Sequence, residues 1–146
     1  MKKNNVFVKI ATMGPMGNLV APGTIGTLLT LPIAYILGFL NPANHFLVLF
    51  ALLILSIYIV QKATCFFRET DPSEIILDEF IGCLITFWAL PINLQTLFWG
   101  FVIFRILDIS KIFGINRLEN LKGGYGIVLD DVVAGMISNL ILHFIL

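Results

Sequence analysis

The chain has 146 residues, of which 58% are hydrophobic and 12% charged, with nine basic residues balanced by nine acidic ones. A soluble globular domain carries about 25% charged residues; half that charge and a mean hydropathy of +0.97 exclude an ordinary soluble fold and point to an integral membrane protein. The length suits one domain, residues 1–146, and a net charge of zero leaves no electrostatic footprint for a nucleic-acid partner.

In chain order, residues 1–18 form a polar-to-mixed lead with Lys2, Lys3 and Lys9. Met1-Lys2-Lys3 begins like a secretion signal. Lys9, Gly14-Pro15 and Gly17 then interrupt any apolar run, so the N-terminus is expected to be retained. Pro22-Gly23 signals a turn, with Thr24 as the expected N-cap of a first apolar segment from Ile25 to Leu40, or from Leu19 if the turn is embedded. Asn41-Pro42-Ala43-Asn44 ends that segment, and a second runs from His45 to Val60. Residues 62–79 are richly charged. Within them Asp71-Pro72-Ser73-Glu74 reads as a turn, with Ser73 or Asp71 capping a helix that carries Asp78 and Glu79 near its start. Pro91-Ile92-Asn93 breaks the apolar region Phe80 to Leu107 into a hairpin of short helices at 76–90 and 94–110. A last helix runs from Ile127 to Leu146.

Charge placement supports the hairpin, because short cytoplasmic loops collect Lys and Arg. With a cytosolic N-terminus, Lys2, Lys3, Lys9, Lys62, Arg68, Arg105, Lys111, Arg117 and Lys122 all fall on the cytosolic side. The opposite side, at 41–44, 91–93 and the C-terminus, carries none. A single long helix would export Arg105, Lys111, Arg117 and Lys122. The expected fold is therefore all-α, a small multi-pass membrane bundle of about five apolar helices.

The same topology gathers Asp78-Glu79, Asp108 and Asp130-Asp131 at one level. Carboxylates are the oxygen ligands that Mg²⁺ prefers. Singly they would pass for solvated helix caps; three acidic sites converging in one small bundle favour a metal site. Arg105, Asp108 and Lys111 share a helix face. They form either a phosphate clamp, with Asp108 on metal or orienting Arg105, or a structural ion pair at the membrane boundary. Gly23 and Thr24 open a helix whose free N–H groups suit an anion, though by themselves they read better as an ordinary capped helix start. Lys122-Gly123-Gly124-Tyr125-Gly126 lacks the Lys-Ser/Thr ending of a P-loop. Cys65 and Cys83 form no CxxC pattern, and no disulfide is expected. His45 and His143 lie at the far, interfacial ends of their helices, which argues against a histidine nucleophile. Trp88 and Trp99 suit an interfacial aromatic belt.

Four stretches together resemble the phosphatidylglycerophosphatase A family. They are Ala21-Pro22-Gly23-Thr24-x-Gly26, Asp78-Glu79-Phe80-Ile81-Gly82, Gly100 through Asp108 to Lys111, and Gly123-Gly124-x-Gly126 through Asp130-Asp131 to Ala134-Gly135. The resemblance covers nearly the whole chain. It departs at Ile112-Phe113-Gly114-Ile115, where the family often has a proline-rich stretch, and at Glu119-Asn120, where it has Asp-Arg. The resemblance implies a bacterial inner-membrane enzyme that removes the terminal phosphate of phosphatidylglycerophosphate with Mg²⁺.

On these residues the expected mechanism is metal-assisted hydrolysis on the cytosolic side. Asp78, Glu79, Asp108, Asp130 and Asp131 hold metal. Glu79 is the candidate general base. Arg105 and Lys111 neutralise phosphate oxygens, with Lys122, Gly23 and Thr24 assisting in substrate binding. The partners are a membrane phospholipid and the bilayer. The rival readings are a small ion-binding or transport module, which would spread its acids through the membrane depth, and an inactive structural relative. Cysteine accessibility checks the topology. Probes at Asn41 and Asn93 are expected to label from the outside and one at Lys122 from the cytosol; cytosolic labelling of Asn93 would overturn the hairpin.

Overall fold

A computed structural model describes residues 5–69, 71–110 and 123–146, and every regular element among them is helical. Six α-helices follow one another: α1 (Val6–Ala11), α2 (Pro22–Leu37), α3 (Pro42–Thr64), α4 (Leu77–Thr86), α5 (Leu94–Ser110) and α6 (Gly124–Ile145), with a 3-10 turn at Gly14–Asn18 between the first two.

The short α1 falls where the sequence suggests only a lead. Asn5 caps it, its Oδ1 accepting from Phe7 N at 2.8 Å. Val8 and Ala11 are buried where α1 packs on α3. Tertiary packing thus supports a helix too short to stand alone.

The start of α2 also corrects an expectation. Thr24 is not its cap. The helix begins at Pro22, after Ala21 in the left-handed region (φ 56°), with no side-chain cap. Proline's fixed φ and missing N–H suit the first helical position, so the turn signal and the helix start coincide. In α3, Asn41 caps from outside, accepting from Asn44 N at 2.8 Å, and Pro42 takes the first position.

At 23 and 22 residues, α3 and α6 are long and apolar enough to cross a bilayer; at about 1.5 Å per residue each exceeds a hydrocarbon core of about 30 Å. At 16, 10 and 17 residues, α2, α4 and α5 are shorter. Phe46, Leu47, Phe50, Ile54, Leu55 and Tyr58 all stand exposed on α3, an apolar face suited to lipid rather than water. His45, in the first turn of α3, is buried at 2% exposure. Cys83 is buried and Cys65 exposed, both as free thiols.

The segment Phe87–Asn93, with Pro91, separates α4 from α5, and Asn93 caps α5 by accepting from Thr96 N at 2.9 Å. Neither Asp71 nor Ser73 caps α4. Its start is set by tertiary contact: Ile76 is fully buried and its N–H donates to Ala11 O at 3.0 Å. At the other end of the chain, α6 begins at Gly124, a turn earlier than expected. Gly124 N donates to Gln61 Oε1 at 2.7 Å, tying this start to the last turns of α3. Asp130 and Asp131 therefore lie about two turns inside α6 rather than at its mouth.

Among the described helices, α4 and α6 make the most extensive contact. A Cβ on Gly82 would lie 2.5 Å from the carbonyl oxygen of Asp131, and one on Gly135 would lie 2.1 Å from that of Gly82. No side chain fits between these backbones. Gly135→Ala must therefore push the helices apart, an overpacking loss of about 1–3 kcal/mol. Thermal unfolding in detergent is expected to show a midpoint lowered by several degrees; an unchanged midpoint would mean that α4 and α6 do not meet there.

Candidate active site

The first turn of α4 carries Asp78 and Glu79, and the second turn of α6 carries Asp130 and Asp131, both buried. On each helix an acid stands four residues before a contact glycine, Asp78 before Gly82 and Asp131 before Gly135. Acid and glycine thus share a face, and the approach that excludes side chains between the helices brings the carboxylates together. One ligand oxygen each from Asp78, Glu79 and Asp131 lies within 4.8 Å of the others. Asp130 Oδ1 accepts from Asp131 N at 3.0 Å. From α5, Arg105 Nη1 pairs with Asp108 Oδ2 one turn away.

The N-terminus of α2 closes the site from the side. A Cβ on Gly23 would lie 2.2 Å from Glu79 Oε1 and 3.2 Å from Arg105 Nη1, so a larger residue here would displace the ends of both side chains. The N–H groups of Gly23 and Thr24, in the first turn, lack intrahelical partners. Their positive end faces the Glu79 carboxylate.

These groups surround a cavity of about 280 Å³. Ala21, Pro22 and Gly23 line it from α2, Asp78 and Glu79 from α4, Arg105 and Asp108 from α5, Asp130 and Asp131 from α6, and Asp71, Pro72, Ser73 and Ile75 from the segment before α4. Its charge is strongly one-sided. Two ionised carboxylates 4.8 Å apart repel by roughly 3 kcal/mol at an effective dielectric constant of about 20. Arg105, which lines the same cavity, is already engaged by Asp108. Asp78 Oδ1, Glu79 Oε2 and Arg105 Nε are buried without a hydrogen-bond partner. An unmet buried polar atom costs about 1–3 kcal/mol. The donor set is all oxygen and clustered, and Asp78 and Glu79 each leave one oxygen unsatisfied. It fits a hard divalent cation, which would relieve the repulsion and leave coordination positions for water and a phosphate oxygen.

Of the residues singled out in the sequence, Asp78, Glu79 and Asp131 converge as a trio that could hold a cation. Asp108, Asp130, Arg105 and Gly23 line the cavity with them, and Thr24 does not. Lys111 and Lys122, with the departures at 112–115 and 119–120, lie outside the described residues. Sequence reasoning missed Asp71 and Ser73 as cavity residues, having assigned them to capping. The available signal was Ile75-Ile76-Leu77, an apolar triplet that buries the loop's end and so draws the turn over the acids.

The phosphatidylglycerophosphatase A family model matches residues 9–146. Phosphatidylglycerophosphatase A of Escherichia coli (strain K12) is 41% identical over 128 residues, 86% of this chain and 74% of its own length. A Bacteroides thetaiotaomicron protein named "Putative phosphatidylinositol-3-phosphatase" is 39% identical over 127 residues, 81% of this chain and 79% of its own. Phosphatidylglycerophosphatase A of Haemophilus influenzae is 34% identical over 158 residues, 99% and 97% of the two chains. No solved structure matches the chain.

A divalent cation bound by the trio should register without any turnover. Adding Mg²⁺ or Mn²⁺ to the detergent-solubilised protein is expected to raise its thermal midpoint. Asp131→Asn is expected to abolish that rise. In chelator it should unfold no earlier than the parent, since one of three mutually repelling groups is gone. A parent midpoint indifferent to cations would rule the trio out as their site.

Proposed function

The chain belongs to the phosphatidylglycerophosphatase A family, and from that premise we propose that it hydrolyses the terminal phosphate monoester of phosphatidylglycerophosphate, yielding phosphatidylglycerol and phosphate. The observation that carries this reading is the convergence of three acids from two helices beside a paired arginine, in a headgroup-sized cavity. That combination is what phosphoryl chemistry on an anionic substrate needs.

Asp78, Glu79 and Asp131 would hold Mg²⁺, with Asp130 and Asp108 beside them. When bound, the ion supplies charge neutralisation at phosphate oxygens and a water of lowered pKa. The orphaned oxygens of Asp78 and Glu79 support this assignment. Arg105 binds and orients the phosphate through its guanidinium, and Asp108 fixes the plane of that guanidinium from one turn away. Gly23 offers a backbone N–H group at the cavity from the start of α2, with Thr24 behind it in the same turn. Lys111 and Lys122 add positive charge in this reading. Glu79 takes the proton of the attacking water as its oxygen bonds to phosphorus. The bond from phosphorus to the glycerol oxygen then breaks, and the departing oxygen is protonated from solvent.

The whole chain acts in this proposal as one multi-pass domain in the bacterial inner membrane. The α4–α5 hairpin enters from the cytosolic side, and the acyl tails stay in lipid. The exposed apolar face of α3 and the length of α6 support a membrane setting. The name of the Bacteroides relative favours a second reading only of the headgroup, an inositol phosphate in place of glycerol phosphate; the bond broken is of the same kind.

Phosphate release from phosphatidylglycerophosphate by the purified protein tests the reading. Activity is expected with Mg²⁺ and not in chelator. Asp78→Asn and Asp131→Asn are each expected to lose about 10²-fold or more in kcat. Release that ignores both the metal and the substitutions would sink the mechanism.

A further inference from the structure

Resting on that phosphatase reading, we propose that Asp71 and Ser73 form the specificity wall of the cavity. They hydrogen-bond the free hydroxyl on the glycerol unit that carries the departing phosphate. Neither residue belongs to the cation trio. Both line the same cavity as Asp78, Glu79 and Arg105, and both are exposed, which puts them at its mouth. The charged floor is thereby matched to the phosphate, and a polar rim lies where the rest of the headgroup must pass.

The wall is held in place rather than loosely hung. Pro72 is buried, and Ile75 N donates to Pro72 O at 3.0 Å. Ile75 and Ile76 are buried at 2% and 0% exposure, and Ile76 is bonded to the end of α1. On the other flank, a Cβ on Gly17 would lie 2.1 Å from the carbonyl oxygen of Glu74, so the 3-10 turn presses directly on this segment. Asp71 and Ser73 thus keep a fixed distance from the acids behind them. That pre-organisation is what turns a hydrogen bond into selectivity.

Charge decides which part of the substrate they meet. Asp71 is near enough to Asp78 for the two carboxylates to interact, and carboxylate oxygens accept hydrogen bonds without donating any. A carboxylate in that position suits a neutral O–H donor, and the Ser73 hydroxyl can donate or accept beside it. The cavity, about 280 Å³, is close to the small end of ligand pockets, at about 300 Å³. It admits a headgroup and excludes the tails. A site built to bond a substrate hydroxyl discriminates strongly against the analogue that lacks it.

The test pairs each variant with a change in the substrate. Parent, Asp71→Ala, Asp71→Asn and Ser73→Ala are assayed in mixed micelles with Mg²⁺. The substrates are phosphatidylglycerophosphate and its analogue lacking the central hydroxyl of the glycerol phosphate. Asp71→Ala is expected to lose roughly 10- to 100-fold in kcat/KM on the natural headgroup and less than about threefold on the analogue, the signature of a shared interaction. Ser73→Ala should lose less, and Asp71→Asn should recover part of the rate because its amide oxygen still accepts. Equal losses on both substrates would assign Asp71 to metal binding or to structure and overturn the wall. A parent that does not distinguish the two substrates, or variants indistinguishable from the parent, would also overturn it. A parent that releases phosphate from neither substrate fails the phosphatase reading itself, and the wall with it.

Discussion

The approach of α4 to α6 across Gly82 and Gly135 is the constraint on which the rest of the site depends. Each glycine faces a carbonyl oxygen of the opposite helix at a distance no Cβ could occupy. The acids four residues earlier share those faces, so backbone contact fixes the carboxylate separation. An ordinary helix pair sits about 8–10 Å apart, set by its side chains. At that spacing Asp78 and Asp131 could still share a cavity, but their oxygens would be held by flexible side chains instead of by two abutting backbones. Further supports act on the same pair. Gln61 bonds the first turn of α6, and Gly23 lets α2 close against Glu79.

What this packing achieves is unfavourable in itself. It buries like charges together and leaves Asp78 Oδ1 and Glu79 Oε2 without partners. Natural folds carry such groups where function requires them, and the remainder of the structure offsets the strain. Here the offset comes from the apolar core around Ile81, Leu84, Phe87, Val128 and Ala134, all fully buried on either side of the glycine contact. Ala21, in the left-handed region at the lip of the cavity, is a further local strain of roughly 1–2 kcal/mol. It turns the chain so that the start of α2 lines the same cavity as the acids.

Much of this was legible in the sequence, for a physical reason. In so apolar a chain an acidic residue is conspicuous, and Pro91 and the basic residues constrain how the segments can turn back. Those two signals were enough to bring Asp78, Glu79, Asp108 and Asp130-Asp131 to one place. The misses share another cause: each is an element whose start is set by a tertiary contact rather than by its own residues. α1 exists because α3 covers Val8 and Ala11. α4 starts at Leu77 because Ile76 bonds to Ala11, and α6 starts at Gly124 because Gln61 receives it. Local capping rules pointed to Thr24, Asp71 and Ser73, and none of them caps a helix here. For Asp71 and Ser73 the error hid a placement at the cavity.

The earlier start of α6 also alters the depth at which chemistry would occur. Asp131 stands seven residues past Gly124 and fourteen before Ile145, so at about 1.5 Å per residue it lies roughly 10 Å from one end of the helix and roughly 20 Å from the other. On α5, Arg105 stands eleven residues past Leu94, roughly 16 Å beyond the turn that contains Pro91. In a bilayer whose hydrocarbon is about 30 Å thick within about 40–45 Å overall, a site recessed by about 10 Å lies near the boundary between headgroups and hydrocarbon. A lipid phosphate could reach such a site while its tails remain in the acyl layer. Acids at a helix mouth would have served a water-soluble substrate equally well. Asp130 and Asp131, about two turns inside α6, suit a headgroup delivered from the membrane plane.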